Sequence, residues 1–253
     1  MPFFLFNSGI TRLSVLLQTL ITFIDPKPVR IRGLRFLHDG AALRSKRWHG
    51  KRDYNVYVIN RKRDSDRLAR FSRTCARWRI PYSRVDGVDL QQNPDLLLQY
   101  SNRIAEYCYN QKNFVKGIYG CFLGHREAWL RFQDSGDDWA LICEDDARFL
   151  GPIPRCIQDF CIPPGTELVF VNQRMATGLL HHEQHVKRPS PLFDLVPTRT
   201  AVQALLAMDP HIDSPGGDGY LLSKHGVDKL LHAFEHSQMA FDVDWFMLFQ
   251  CLD

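Results

Sequence analysis

The apolar run Trp139-Ala140-Leu141-Ile142-Cys143 leads directly into three carboxylates, Glu144-Asp145-Asp146. No other segment constrains the fold as much. Such a run reads as a buried strand, and the acids must stand where that strand leaves the core. Around it, β-rich runs alternate with segments of helical period. Tyr54–Asn60 reads as a second buried strand. Leu68, Phe71, Cys75 and Trp78 repeat at helical spacing between Asp64 and Arg79, and Pro81 stops the helix. Tyr82–Val88 reads as the next strand, which completes a unit of βαβ size. Asp95–Asn113 reads as helical, and Gly117–Phe132 as a helix carrying Cys121, His125 and Trp129. Strands are expected at Glu167–Asn172 and Gly219–Ser223. A helix is expected at Lys224–His236, with Val227, Leu230, Leu231 and Phe234 on one side. Residues 173–215, rich in Pro and His, read as loops over a site. The alternation predicts an α/β fold with a mostly parallel sheet flanked by helices.

In open α/β sheets ligands gather beyond the carboxyl ends of the strands. Carboxylates placed there suit Mg²⁺ or Mn²⁺, which prefer oxygen. Such an ion would bridge a diphosphate and neutralise charge on a departing nucleotide. Three adjacent acids repel one another, so without a cation the cluster is costly. The competing reading is a solvated strand end. A metal-dependent phosphohydrolase would use the same acids, but no nucleophile motif accompanies them.

The net charge of +4 conceals an asymmetry: residues 1–80 hold 18 Lys and Arg against 5 Asp and Glu, and the rest of the chain is acidic. That acidic remainder argues against nucleic acid as the substrate, and the basic front end suits an anionic surface or is a solvated face. Residues 1–53 read as an N-terminal extension and 54–253 as the functional domain. Leu13, Leu16, Leu17, Leu20, Ile21 and Ile24 repeat at helical spacing. The run is well short of the roughly 20 residues that span a bilayer. Nine Lys and Arg follow between Lys27 and Arg52. An apolar helix face beside a polybasic stretch predicts peripheral membrane contact through residues 1–52. The alternatives are a helix packed on the domain, or a start site assigned too early. The seven cysteines show no C-x-x-C pair, which points to reduced thiols and a cytoplasmic location, at the inner face of the membrane if the anchor forms.

Four segments taken in order carry a resemblance. They are Tyr57-Val58-Ile59-Asn60 with Arg63 and Arg67; Gly117 to Trp129, with Gly-Cys at 120–121 and His125; Ala140 to Asp146; and Gly219 to Ser223, followed by Val243-Asp244. The set resembles glycosyltransferase family 25, the bacterial lipooligosaccharide galactosyl- and glucosyltransferases and their collagen-modifying relatives. The resemblance covers about residues 54–250. It implies a GT-A type fold and inverting transfer of a hexose from a nucleotide-sugar donor, a UDP-sugar above all. The implied acceptor is a lipopolysaccharide or other surface glycan or glycolipid, and the implied metal is Mn²⁺ or Mg²⁺. Asp146 would be the metal ligand. Glu144 would join it or face the ribose. Asp145 would stand beside the donor, with Asn60 and Arg67 on the uridine or diphosphate side.

An inverting transfer needs a general base for the acceptor hydroxyl. Asp244 and Asp218 are the candidates; Asp218 reads equally as a turn residue and Asp244 as a helix N-cap. His125 could donate to the diphosphate or be a satisfied helix histidine. His181, His182 and His185 could bind zinc or be loop histidines. Gly124 stands where the family usually has serine, and the sequence ends at Asp253, where relatives usually continue. Those two departures motivate the alternative of a non-catalytic sugar-nucleotide or glycan-binding relative.

Overall fold

The computed structural model describes residues 3–6, 52–100, 112–149, 153–160, 162–171, 194–198, 216–239 and 242–250. In chain order they form β1 (Phe3–Phe6), β2 (Asn55–Asn60), α1 (Ser65–Trp78), β3 (Ser83–Asp86), α2 (Asp95–Tyr100), α3 (Lys112–Asp134), β4 (Trp139–Glu144), a 3-10 turn (Ile157–Phe160), β5 (Leu168–Phe170), β6 (Asp194–Pro197), β7 (Gly219–Ser223), α4 (Lys224–Ser237) and α5 (Val243–Phe249). The expected interfacial helix at 13–24, the bulk of the polybasic stretch and the histidines at 181, 182 and 185 lie outside the described residues.

The strands form one α/β sheet in the order β3-β2-β4-β7-β5-β1-β6. β2 runs parallel to both β3 and β4, so the expected βαβ unit is present. β7 lies between β4 and β5 and is antiparallel to both. β1 is parallel to β5 and antiparallel to β6. The sheet is therefore mixed, which corrects the expected mostly parallel arrangement. Hydrophobic pattern marks a segment as a strand but does not set its direction. Parallel pairing needs only a crossover of about a dozen residues, and the long 172–218 connection lets β7 enter in either sense. A second correction is β6, a strand inside the segment expected to be loops.

Alternation along the strands divides the core in two. On β4, Ala140 and Ile142 join Tyr57, Ile59, Phe170 and Tyr220 on one face. Leu141 and Cys143 join Val56, Val58, Val169 and Leu221 on the other. The first face is covered by α3, α4 and α5. Phe122 ties these helices together, its ring 4.9 Å from that of Phe246 and 5.6 Å from that of Phe234. The second face is covered by α1 through Phe71 and Cys75.

Local signals set the helix ends. Arg79 adopts a left-handed conformation at φ 53°, and Ile80 N–H bonds the Cys75 carbonyl at 2.9 Å before Pro81. Ser223 caps α4 by accepting from Gly226 N–H at 3.0 Å. Asp242 caps α5 by accepting from Trp245 N–H at 3.0 Å. Each such cap contributes about 1 kcal/mol. The cap is thus Asp242, and Asp244 is the second residue of the helix, within its first turn, not the cap that its sequence context allowed. Among the described residues no helix is long and apolar enough to cross a membrane.

Candidate functional site

The three acids at the end of β4 do not converge. Successive residues of a strand point to opposite faces, so Glu144 continues the row of Ala140 and Ile142, and Asp145 that of Leu141 and Cys143. Glu144 therefore meets α3. Its Oε1 lies 3.5 Å from His125 Nε2 and 3.5 Å from Cys121 Sγ. Asp145 meets β2 and α1. It accepts from Asn60 Nδ2 at 2.7 Å and pairs with Arg67 at 2.6 Å. Asp146 has left the strand. It is largely exposed and pairs with the same Arg67 nitrogen at 2.8 Å.

The half-buried Glu144 and the buried Asp145 respond to opposite surroundings. Burial works to raise the Glu144 carboxyl, but the hydrogen bonds from His125 and the Cys121 thiol and the charge of Arg67 outweigh it. The carboxyl ends below its ordinary value. Burial raises Asp145, and the nearby Asp146 and Glu144 add to that. Asn60 and Arg67 offset it only in part, so Asp145 stays above its ordinary value. Burial also pushes the Cys121 thiol well up, with the Glu144 and Asp244 carboxylates adding to the effect. It is a protonated, weak donor at neutral pH.

Behind Glu144 stands a buried chain. His125 Nδ1 lies 2.9 Å from the Tyr220 hydroxyl on β7, and Trp129 Nε1 donates to that hydroxyl at 2.7 Å. Cys121, His125 and Trp129 are four residues apart on α3, so one helix stripe presents all three to the sheet.

In front of Glu144 is a cleft of about 320 Å³ between the ends of β2 and β4, the loop after β3 and the first turns of α3. Arg61, Arg63, Arg67 and Lys116 bring positive charge to it, and Glu144 and Asp145 supply acid. Arg63 is held by Asp89 at 2.9 Å, and Arg61 by Asp64 at 2.6 Å.

The expected residues divide among these groups. Glu144, Asp145 and Arg67 line the cleft. His125 is fully buried one layer behind it. Asn60 is also buried; its amide serves Asp145 and the Asp64 carbonyl, and it accepts from Arg84 at 2.9 Å. Asn60 thus supports the acids from within the fold. Asp244 is half-buried and accepts from Gly217 N–H at 2.7 Å. Asp218 is buried, and its carbonyl accepts from Glu144 N–H at 3.2 Å. A β-carbon on Gly217 would lie 2.5 Å from Asp244 Oδ1 and 3.5 Å from the His125 ring, so Gly217 packs against both the Asp244 carboxylate and this histidine.

Among the described residues the one group of three potential ligands is Cys121, His125 and Glu144, whose donor atoms all lie within 4.8 Å of one another. Mn²⁺ and Mg²⁺ prefer oxygen. Glu144 and the exposed Asp146 offer oxygen at the strand end, which fits an ion held by one or two carboxylates and completed by phosphate and water.

Three of the four ordered segments line one cleft, and the fourth reaches it from behind through Tyr220 and His125; the family profile described as "Glycosyltransferase family 25 (LPS biosynthesis protein)" matches residues 53–247. The chain belongs to glycosyltransferase family 25. This family 25 chain is 27% identical over 206 residues to procollagen galactosyltransferase 1 of Danio rerio, covering 76% of the chain and 30% of that protein. It is 26% identical over 194 residues to procollagen galactosyltransferase 1-B of Xenopus laevis, covering 70% and 28%. With procollagen galactosyltransferase 2 of Homo sapiens it shares 30% identity over 103 residues, covering 37% and 16%. The chain spans at most about 30% of the length of these relatives.

Within the family pattern, Gly124 has a packing reason. A β-carbon there would come within 2.8 Å of Ile59 Cγ2, so serine does not fit against this isoleucine. Cys121 and Tyr220 were not singled out as site residues by sequence reasoning. The spacing of Cys121, His125 and Trp129 pointed to a shared face, but nothing local announced Tyr220 as their partner.

Proposed function

We propose that this chain is an inverting glycosyltransferase that moves a hexose from a UDP-sugar to a glycan or glycolipid acceptor. The observation that carries the reading is Glu144. It is an ionised carboxylate at a strand end, held from behind by His125 and facing a cleft edged by Arg61, Arg63, Arg67 and Lys116. A nucleoside diphosphate needs this mixture: cations for its phosphates and an acceptor for a ribose hydroxyl or a metal. The parallel β2-α1-β3 opening and the strand-end acids support a GT-A type architecture.

Glu144 and Asp146 would hold a divalent ion, Mn²⁺ or Mg²⁺, which would neutralise charge on the departing diphosphate. Arg67 would keep Asp145 and Asp146 in register. Asp244 is the better candidate for general base, since it is half-buried and fixed by Gly217 N–H. Asp218 is enclosed, and its backbone bond to Glu144 suits it to holding the strand end. The relatives' names make galactose the first sugar to test. The family description and those names together make lipopolysaccharide and procollagen the first acceptors. The basic N-terminal segment is proposed to rest on anionic membrane from the cytoplasmic side. Replacing Arg30, Arg32 and Arg35 with serine should then release the protein from anionic vesicles. Unchanged sedimentation would remove that role.

Calorimetric titration with UDP and UDP-galactose, with and without Mn²⁺, tests the donor site. Metal-dependent UDP binding that is lost in Asp146→Asn is expected. Full binding and turnover in that variant would reject the metal role. Donor binding without transfer to any acceptor would leave the non-catalytic relative.

A further inference from the structure

We propose that Tyr220 is a positioning residue: its hydroxyl places the proton of His125 on Nε2, so that His125 donates to Glu144 and fixes that carboxylate toward the cleft. The argument is one of proton counting. An indole nitrogen can only donate, so Trp129 Nε1, 2.7 Å away, makes the Tyr220 oxygen an acceptor. Tyr220 is fully buried on β7 and keeps its own proton, because burial raises its pKa well beyond the effect of the Trp129 bond. Among the described residues that proton has one hydrogen-bond acceptor, His125 Nδ1 at 2.9 Å. The reverse polarity would put a proton on Nδ1 and leave the buried phenol proton with nowhere to go, which folded proteins avoid. With Nδ1 accepting, the ring proton of His125 is on Nε2, the nitrogen that faces Glu144 Oε1.

The same oxygen also receives the Cys121 thiol. Oε1 is thus occupied by two donors from α3. The described residues supply no donor to Oε2, although the side chain lines the cleft. One oxygen anchors the carboxylate and the other is left for a ligand. The order of the chain is Trp129 to Tyr220 to His125 to Glu144. It begins at a residue that cannot accept and ends at one that, ionised, cannot donate, so no member can be reversed alone.

The arrangement also decides between two uses of Cys121, His125 and Glu144. A metal held by all three would need the lone pair of His125 Nε2, hence a proton on Nδ1, and a thiolate at Cys121. Both are opposite to the polarity set by Trp129 and Tyr220.

The effect on donor binding rests on the proposed donor site, but the proton position does not, so the two are tested separately. Two-bond ¹H–¹⁵N correlation spectra of the full chain, with His125 assigned by comparison with His125→Gln, report the tautomer directly. The Nε2–H form is expected, and Tyr220→Phe should shift it toward a mixture while circular dichroism stays native. UDP affinity should fall about tenfold in Tyr220→Phe. His125→Gln, whose amide can reach the Nε2 position, should retain more affinity than His125→Asn. An Nδ1–H signature in the unaltered protein would overturn the proposal. So would stoichiometric Zn²⁺ uptake abolished by Cys121→Ser, or a Tyr220→Phe spectrum identical to wild type. Failure to bind UDP with the Nε2–H form intact would count against the donor site alone.

Discussion

Replacing Gly124 with alanine tests whether the α3–β2 contact dictates this residue. In a helix interior, alanine is favoured over glycine by about 1 kcal/mol, so on propensity alone Gly124→Ala should stabilise. The structure opposes this. The new β-carbon would lie 2.8 Å from Ile59 Cγ2, against 3.4–4 Å for ordinary contact. Both groups are buried between the helix and the sheet, so a methyl group must be forced in or the helix must move. Overpacking of this kind costs about 1–3 kcal/mol. The expected net effect is a loss of about 1 kcal/mol, or roughly 2–4 °C in Tm for a protein of this size. Urea denaturation with an unchanged slope is the assay. The decisive comparison is the same substitution in Ile59→Leu, which lacks Cγ2. There the cost should vanish or reverse, giving a coupling of about 1–2 kcal/mol. A stabilising Gly124→Ala in the unaltered protein, or an equal cost in both backgrounds, would refute the reasoning. Because Ile59 lines the cleft, weaker UDP binding should accompany the stability loss.

Two further outcomes are expected. Gly217→Ala would put a β-carbon 2.5 Å from Asp244 Oδ1 and displace the carboxylate from its N–H bond, costing at most about 1.5–3 kcal/mol; turnover should fall at least tenfold, and unchanged kcat would remove Asp244 as the base. Glu144 has a folded pKa below the ordinary 4.5, so its contribution to stability is full above that value and disappears as pH falls through the lower folded value. Glu144→Gln should therefore flatten the loss of urea midpoint below about pH 4.5, and identical curves for the two proteins would contradict the assigned environment.

Much of this was legible from the chain. Apolar runs located β2, β4, β5 and β7 to within a residue or two, because a buried strand must be apolar along its length. The spacing of Leu68, Phe71, Cys75 and Trp78 located α1, because only a 3.6-residue period puts them on one face. The β4 acids were legible as a cluster, and period-two alternation would have separated them: Glu144 and Asp145 must point apart. The N-cap that Asp244 could have been falls two residues earlier, at Asp242. Asp242 and Asp244 are both aspartates before an apolar run, and only backbone geometry distinguishes them.

The sequence by itself determined β2, β4, β5, β7, α1 and α4, the α/β class and the family, since these depend on local period and on ordered motifs. Only the tertiary structure decided the direction of β7, the partner of His125 and the neighbour of Gly124. Tyr220 lies 95 residues from His125, and Ile59 lies on a strand separated from α3 by two helices and another strand. Hydrogen-bond polarity and close packing act over a few ångströms. The chain writes those pairings only once it has folded.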